Sequence, residues 1–188
     1  MIPSQQMSRK DFFHRLGNLT AGAAALSLFP WLRGCTPEKE RLAQGEKARL
    51  GLIGTGSRGM FHLEHLKEDP SAQIVALCDD YAPHLDQASA LFPQARRYSD
   101  YRKILEDKEV DGVIICTPLS FHAAMTIDAL QAGKHVFAEK GVAVDAPGVR
   151  LMIEASKLAE QKRLTIVCGT QRRHQKGYLM VKKALDEG

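Results

Sequence analysis

Three glycines are spaced as G-x-G-x-x-G, at Gly54, Gly56 and Gly59. They follow a short apolar segment, and Asp79 ends a second apolar segment twenty residues after the last glycine. A strand that turns through such a loop into a helix points unpaired backbone N–H groups at a phosphate. A carboxylate at the end of the next strand accepts hydrogen bonds from a ribose. The spacing therefore predicts a dinucleotide-binding site.

Each part of this loop has its own expected role. Gly54 permits a tight turn, Gly56 lets the backbone approach a pyrophosphate, and Gly59 lets the helix pack closely on the strand. The helix is expected to open near Ser57, which places Ser57 and Arg58 in the phosphate loop. Asp79 would repel a 2′-phosphate, which favours NAD over NADP. The guanidinium of Arg58 could instead pair with that phosphate, so NADP stays open as an alternative.

Apolar segments alternate with helical stretches from Ala48 onward, which predicts an α/β fold with a Rossmann-like, doubly wound parallel sheet. Strands are predicted over 49–53, 73–78, 95–98, 110–116, 135–138 and 164–168. Helices are predicted over 57–67, 83–91, 101–106 and 121–131, from 176 onward, and over a long stretch that begins after Asp145. Ser120 and Asp145 are expected to cap the helices that follow them, and Gly133 to end one.

Polar residues follow several of these strands, and ligands of an open parallel sheet bind beyond the carboxyl ends of its strands. The residues at these points are Asp79, Thr117, Pro118, Glu139, Lys140 and Gln171. Lys140 is the catalytic candidate, because its ammonium can donate to a substrate oxygen and partial burial would lower its pKa. Glu139 could orient that ammonium or contact a ribose. A solvated Glu-Lys pair in a loop is the simpler interpretation of the two residues taken alone.

The remaining titratable residues show no metal-binding pattern. His62 and His65 lie three positions apart on a predicted helix, but no third ligand is evident, so both are placed on the surface. No two of the four cysteines have metal-ligand spacing. His122 lies one turn into the helix after the fourth strand, where it could face a cofactor or cover the sheet edge. The basic cluster 172–174 could meet a substrate anion, the cofactor or solvent.

Residues 1–35 have the character of an export signal. The segment 8–13, Ser-Arg-Lys-Asp-Phe-Phe, resembles the twin-arginine motif with a lysine in place of the second arginine, and an alanine-rich apolar stretch follows it. The segment 32–35, Leu-Arg-Gly-Cys, resembles a lipoprotein processing site, which predicts a lipid anchor at Cys35. Arg33 departs from the small residue usual there, and an amphipathic N-terminal segment is the alternative. The protein is thus expected to be exported, as a periplasmic protein or a membrane-anchored lipoprotein.

The excess of positive charge comes mostly from this leader. The chain of 188 residues has 26 basic and 22 acidic residues and a formal net charge of +4. Its first 35 residues contain four of the basic residues and only one of the acidic residues. No basic stripe with interleaved aromatic residues follows, so nucleic acid is not an expected partner. Residues 36–47 are predicted to be a charged linker, and residues 48–188 the Rossmann domain.

Two further motifs carry a resemblance to a known family. Thr117-Pro118-x-x-x-His122 is followed by an Ala-Leu-x-Ala-Gly-Lys-His-Val-x-x-Glu-Lys segment over 129–140. Together with the glycine loop, they resemble the signature of the Gfo/Idh/MocA family (glucose–fructose oxidoreductase, inositol dehydrogenase and rhizopine catabolism) over roughly 48–188. The resemblance implies an NAD(P)-dependent oxidoreductase that acts on a sugar or cyclitol hydroxyl. It implies pyrophosphate contacts from Gly54, Gly56 and Gly59, a ribose contact from Asp79, a catalytic role for Lys140, and positions near the cofactor for Thr117, Pro118, His122, Glu139 and Gln171.

The chain departs from the family pattern in two places. Gly141 follows Lys140 where the family usually has proline, and glycine would hold the lysine less firmly. The family's C-terminal α/β domain shapes the sugar pocket and supplies a catalytic histidine, and we do not expect this domain within residues 1–188. A full-length protein is expected to be a homo-oligomer. Two other functions remain open: an NAD-dependent glycosidase of the same family, and a non-catalytic nucleotide-binding fragment.

Overall fold

The structure is a computed structural model, and it describes residues 46–188. The predicted export signal, the lipidation site at Cys35 and residues 36–45 of the predicted linker lie outside the described residues. Residues 48–188 form one compact unit. Within 46–188, no helix has both the length and the apolar character needed to cross a membrane.

Strands and helices alternate along this unit as predicted. The strands are β1 (Ala48–Ile53), β2 (Ala72–Cys78), β3 (Arg96–Tyr98), β4 (Gly112–Ile115), β5 (His135–Ala138) and β6 (Ile166–Cys168). The helices are α1 (Ser57–Leu66), α2 (Ala82–Leu91), α3 (Tyr101–Glu106), α4 (His122–Gln131), α5 (Ala146–Gln161) and α6 (Lys176–Glu187). Short 3-10 helices over Leu119–Phe121 and Gln171–His174 follow β4 and β6, which are both shorter than predicted.

The six strands form one parallel sheet in the order β3-β2-β1-β4-β5-β6. The strand order reverses between β1 and β4, and a crevice for ligands opens beyond the carboxyl ends of the strands at such a reversal. The last residue of β1, Ile53, is in register with Cys78 on one side and with Ile115 on the other. The loops after β1, β2 and β4 therefore start side by side, which confirms the predicted fold class.

Apolar layers cover both faces of the sheet. Successive residues of β1 point to opposite faces, so that Leu52 packs in a cluster with Leu63 of α1 while Ile53 packs in a cluster with Leu130 of α4. All four residues of β4 are buried, as expected for a central strand with helices on both sides. The sheet thus lies between two apolar layers.

Two of the three predicted helix boundaries are confirmed. The carboxylate of Asp145 accepts the backbone N–H of Gly148 at 2.7 Å and caps α5. Gly133 adopts a left-handed φ of 76° directly after α4. The prediction that Ser120 caps α4 is wrong. The backbone N–H of Phe121 already donates to the carbonyl of Pro118 at 3.0 Å, so Ser120 lies inside a 3-10 turn rather than at a helix start.

Candidate functional site

Two glycines of the loop after β1 are required by packing, and the third leaves the backbone open. Gly54 has a φ of 89°, and a Cβ there would lie 2.8 Å from the carbonyl carbon of Cys116. A Cβ on Gly59 would lie 2.1 Å from the carbonyl oxygen of Gly54. A Cβ on Gly56 would meet only the ring of His84, at 3.6 Å. The loop therefore exposes its backbone at Gly56, where a bound group can approach closely.

The amino end of α1 is free to face an anion. Gly56 is the N-cap, no side chain in the described part of the chain caps this end, and its first turn contains no acidic residue. Ser57 is exposed there. The first N–H groups and the positive end of the helix dipole therefore remain available. Together with the open backbone at Gly56, they fit the pyrophosphate of a dinucleotide.

Asp79 lies beside this loop and is bonded to it. Its Oδ2 accepts the backbone N–H of Thr55 at 2.6 Å and the Thr55 hydroxyl at 3.1 Å, and its Oδ1 accepts the N–H of Tyr81 at 2.9 Å. Thr55 is fully buried. A carboxylate has about four acceptor sites, so Asp79 can still accept a ribose hydroxyl. The structure thus brings Asp79 to the glycine loop, as the sequence predicts.

The buried side chain of Glu139 forms the centre of a hydrogen-bond network, which we call the Glu139 network. Its Oε1 accepts from Arg58 Nε at 2.8 Å, from Arg58 Nη2 at 2.6 Å and from His62 Nε2 at 2.8 Å. Its Oε2 accepts the backbone N–H of Lys140 at 2.9 Å. The side chain of Glu139 is only 4 % exposed, and a Cβ on Gly169 would approach its Cδ to 3.1 Å. The network therefore joins α1 to the ends of β5 and β6.

The protonation of this network follows from burial and hydrogen bonding. Burial raises the pKa of Glu139, but hydrogen bonds from Arg58, His62 and the Lys140 N–H outweigh it and hold this pKa below its ordinary value. Burial lowers the pKa of His62, and the hydrogen bond to Glu139 opposes this only in part. Glu139 is therefore a carboxylate at neutral pH, and His62 a neutral imidazole whose Nε2–H donates to it.

This network corrects one prediction and defines the surroundings of Arg58. The guanidinium of Arg58 donates to Glu139 and lies 4.8 Å from the centre of the Phe61 ring. The assignment of His62 to the surface is wrong, because its ring packs on Phe137 at 5.5 Å and bonds to Glu139. The one signal in the sequence was the spacing of four between Arg58 and His62, which puts them on one helix face. His65 is exposed, as predicted.

Lys140 lies in the loop that follows β5, and His122, the first residue of α4, packs beside this loop. Lys140 is exposed, so the expected partial burial is absent, and Glu139 accepts its backbone N–H rather than its ammonium. The peptide between Lys140 and Gly141 is cis. The ring of His122, 1 % exposed, places Nδ1 2.8 Å from the carbonyl of Gly141 and Nε2 2.8 Å from the carbonyl of Thr117. His122 thus joins the loops after β4 and β5 instead of covering the sheet edge.

The other predicted site residues lie at the same edge with fewer contacts. The Thr117 hydroxyl donates to the sulfur of Met125 at 3.6 Å, while Pro118 and Gln171 are exposed in or beside the two 3-10 turns. In the basic cluster, Arg172 lies 5.3 Å from the centre of the Tyr178 ring.

Over residues 46–188, no group of three His, Cys, Asp or Glu side chains could hold a metal ion. Burial raises the pKa of the Cys78 and Cys116 thiols to about 12, which makes both unreactive.

Comparison with known proteins places this arrangement in a family. The GFO_IDH_MocA family, described as an oxidoreductase family with an NAD-binding Rossmann fold, matches residues 48–170. An inositol 2-dehydrogenase of Salmonella typhimurium is 35 % identical over 142 residues, which are 74 % of this chain and 42 % of the relative. A glycosyl hydrolase family 109 protein of Stenotrophomonas maltophilia is 35 % identical over 144 residues, 71 % of this chain and 29 % of the relative.

A solved structure agrees with the sequence relatives. The scyllo-inositol dehydrogenase of Lactobacillus casei, with bound NAD(H) and scyllo-inositol, superposes with a TM-score of 0.69 at 26 % identity. The match covers 76 % of this chain and 42 % of that protein. The chain thus spans less than half the length of the relatives that it matches. The chain belongs to the Gfo/Idh/MocA oxidoreductase family and carries its NAD-binding Rossmann domain.

Proposed function

We propose that this chain is the dinucleotide-binding part of an NAD-dependent oxidoreductase that acts on a sugar or cyclitol hydroxyl. One observation carries the proposal: the Asp79 carboxylate is bonded to Thr55 inside a glycine loop whose backbone is open at Gly56. A loop that can bind a pyrophosphate, beside a carboxylate that can accept a ribose hydroxyl, fits a dinucleotide. The inositol dehydrogenase relatives support a cyclitol or sugar as the substrate class.

The nicotinamide, when bound, supplies the site that accepts or returns a hydride. A secondary hydroxyl that loses a hydride from carbon must also lose its proton from oxygen. We assign the movement of this proton to the Nζ atom of Lys140, which is exposed at the carboxyl edge of the sheet. His122 holds the loop that contains Lys140, and Glu139 holds the lysine backbone. These two residues position the loop, and Lys140 performs the transfer.

The charges around the ribose position favour NAD over NADP. The Asp79 carboxylate would repel a 2′-phosphate, and the guanidinium of Arg58 is bound by Glu139. We therefore expect NAD to bind more tightly than NADP, with Thr117, Pro118, His122 and Gln171 close to the cofactor. Calorimetric titration of the 188-residue chain with each dinucleotide tests this. Absence of NAD binding by the folded chain would contradict the proposed cofactor site.

The role of Lys140 requires a protein that also contains a substrate domain. In such a protein, Lys140→Ala is expected to lower kcat at least a hundredfold, because proton transfer contributes about that much or more, while NAD binding persists. Lys108→Ala is the matched control, since Lys108 is also exposed but lies in the loop before β4, at the amino ends of the strands. Unchanged turnover in Lys140→Ala would show that another group moves the proton.

A glycosidase of the same family is the second candidate. The family 109 relative supports it, since its similarity covers a comparable part of this chain. Release of a sugar from a glycoside, with no net change in the NAD redox state, would identify this activity. Tight NAD binding without turnover of sugars, cyclitols or glycosides would instead support a non-catalytic nucleotide-binding module. In a longer protein we also expect a homo-oligomer, which light scattering coupled to size exclusion would detect.

We further propose that residues 1–35 direct export through the twin-arginine route, followed by lipidation of Cys35. NAD is scarce outside the cytoplasm, so a protein that uses it there must fold around it before export. Replacing Arg9 and Lys10 together by glutamine is expected to retain the protein in the cytoplasm. Cys35→Ser is expected to release it from the membrane fraction into the periplasm. Unchanged cell fractionation in both variants would contradict this proposal.

A further inference from the structure

His84 lies between the two parts of the proposed dinucleotide site. It is the third residue of α2, and its Nδ1 is 3.8 Å from Oδ2 of Asp79. The same edge of the ring is the nearest neighbour of Gly56, with Cε1 at 3.6 Å and Nδ1 at 3.7 Å from the position of a Cβ there. The side chain is 46 % exposed. The imidazole therefore faces both the ribose acceptor and the open backbone of the glycine loop.

The ring nitrogens of His84 are not used by the fold. The distance to Asp79 exceeds that of a hydrogen bond, and the Asp79 oxygens already accept from Thr55 and Tyr81. None of the hydrogen bonds found across residues 46–188 involves the His84 side chain. The Tyr81 ring packs edge-on at 4.8 Å between centroids and limits the tilt of the imidazole. The ring is thus oriented by packing, while its polar atoms remain available.

From these contacts we propose that His84 contacts the adenosine ribose of the cofactor and sets, through its protonation, how strongly the site rejects a 2′-phosphate. The proposal rests on the dinucleotide site described above. As a neutral ring, His84 can hydrogen-bond a ribose hydroxyl but leaves the negative charge of Asp79 unopposed. As an imidazolium, it adds a positive charge beside that carboxylate and can donate to a phosphate. Discrimination against NADP is therefore expected to weaken as the pH falls.

Few other titratable groups surround this ring. Asp79 approaches from the end of β2, and Tyr81 from the turn before α2. From the glycine loop, the Cβ position of Gly56 lies 3.6 Å from Cε1 of His84. Asp80 is exposed in the same turn, and its carboxylate would add to the repulsion of a phosphate.

The test compares NAD and NADP dissociation constants of the 188-residue chain at about pH 5.5 and about pH 8. In the unsubstituted chain, the ratio of the NADP constant to the NAD constant is expected to fall about five- to tenfold at the lower pH, because a charged hydrogen bond to the phosphate is gained. His84→Asn keeps a polar group near the Nδ1 position but cannot be protonated. Its ratio of NADP to NAD constants is expected to lose this extra pH dependence.

His65→Asn is the matched control, since it makes the same change on an exposed histidine of α1 and is expected to behave as the unsubstituted chain. The 2′-phosphate itself titrates near pH 6, but it does so equally in every variant, so the difference between variants reports on His84. Equal pH dependence in the unsubstituted chain and His84→Asn would overturn the proposal. NADP that binds at neither pH, beside normal NAD binding, would also overturn it. Failure of all variants to bind NAD would instead overturn the dinucleotide site itself.

Discussion

The guanidinium of Arg58 donates two hydrogen bonds to the carboxylate of Glu139, which lies 81 positions further along the chain. Arg58 belongs to the phosphate loop and Glu139 precedes the candidate catalytic Lys140. A buried carboxylate thus fixes the start of α1 to the loop that carries the lysine. Movement of either segment must disturb the other, because two short and directional hydrogen bonds join them.

Replacing Glu139 by glutamine is expected to destabilise the domain. The amide would keep one acceptor oxygen but would direct its NH2 group at N–H donors that now bond to a carboxylate. The free energy of unfolding should fall by about 1–3 kcal/mol, towards the lower end because Arg58 is 38 % exposed. Urea denaturation measures this. Glu64→Gln, on the exposed side of α1, is the control, and equal stability of the two variants would contradict the network's role.

The stability of the domain is expected to decrease as the pH falls below 7, because His62 is held neutral. The unfolded chain protonates His62 near its ordinary pKa of 6.5, whereas burial lowers this pKa in the folded state. The unfolded state therefore binds more protons in this window, and the unfolding free energy falls by at most about 1.4 kcal/mol per pH unit. Urea denaturation between about pH 7 and pH 5 measures the slope.

His62→Gln is the matched variant for this slope, since it retains a donor to Glu139 but does not titrate. It should remove the contribution of His62, and an unchanged slope would show that other groups cause it. The contribution of Glu139 appears in a separate window. Its pKa lies below the ordinary 4.5, so the stability that it contributes is present above that value and is lost as the pH falls through the folded-state pKa.

Gly59→Ala is expected to disrupt the phosphate loop. Its Cβ would lie 2.1 Å from the carbonyl oxygen of Gly54, and a backbone atom cannot move aside without shifting the turn. We expect a loss of stability above about 2 kcal/mol and a loss of NAD binding. Gly177→Ala is the control, because no atom beyond its chain neighbours and its own helix backbone lies within 4 Å of its Cβ position. Thermal unfolding measures the stability of both variants, and calorimetry measures their NAD affinity. Equal stability and equal affinity in Gly59→Ala and Gly177→Ala would contradict the steric argument.

His122→Ala is expected to release the loop that follows β5. The substitution removes the ring that contacts the carbonyl oxygens of Thr117 and Gly141 and leaves a cavity, at a cost of about 2–4 kcal/mol. Trypsin cleavage after Lys140 should therefore become faster than in the unsubstituted chain under native conditions. His174→Ala, at an exposed position, is the control. Equal cleavage rates at Lys140 would show that His122 does not hold this loop.

Much of the fold could be predicted because its signals are local. Alternation of apolar segments with helical stretches predicts a parallel sheet, and Asp145 and Gly133 end their helices through bonds and angles within a few residues. The pairing of the glycine loop with Asp79 could also be predicted, since adjacent parallel strands bring their carboxyl ends to one edge. The predicted cap at Ser120 is wrong because a 3-10 turn forms there instead. One backbone hydrogen bond, from the N–H of Phe121 to the carbonyl of Pro118, closes this turn, and no sequence pattern indicated it.

The hydrogen-bond partners of Arg58, His62 and His122 were decided by the tertiary structure. Arg58 and His62 reach Glu139 over 81 and 77 positions, and His122 reaches Gly141 across two loops. No periodicity in the sequence encodes such bonds, because they depend on how α1 and α4 pack against the sheet. The residue types and spacing thus determined which chemistry this edge could hold, whereas packing decided which charges are neutralised there and which remain free for a ligand.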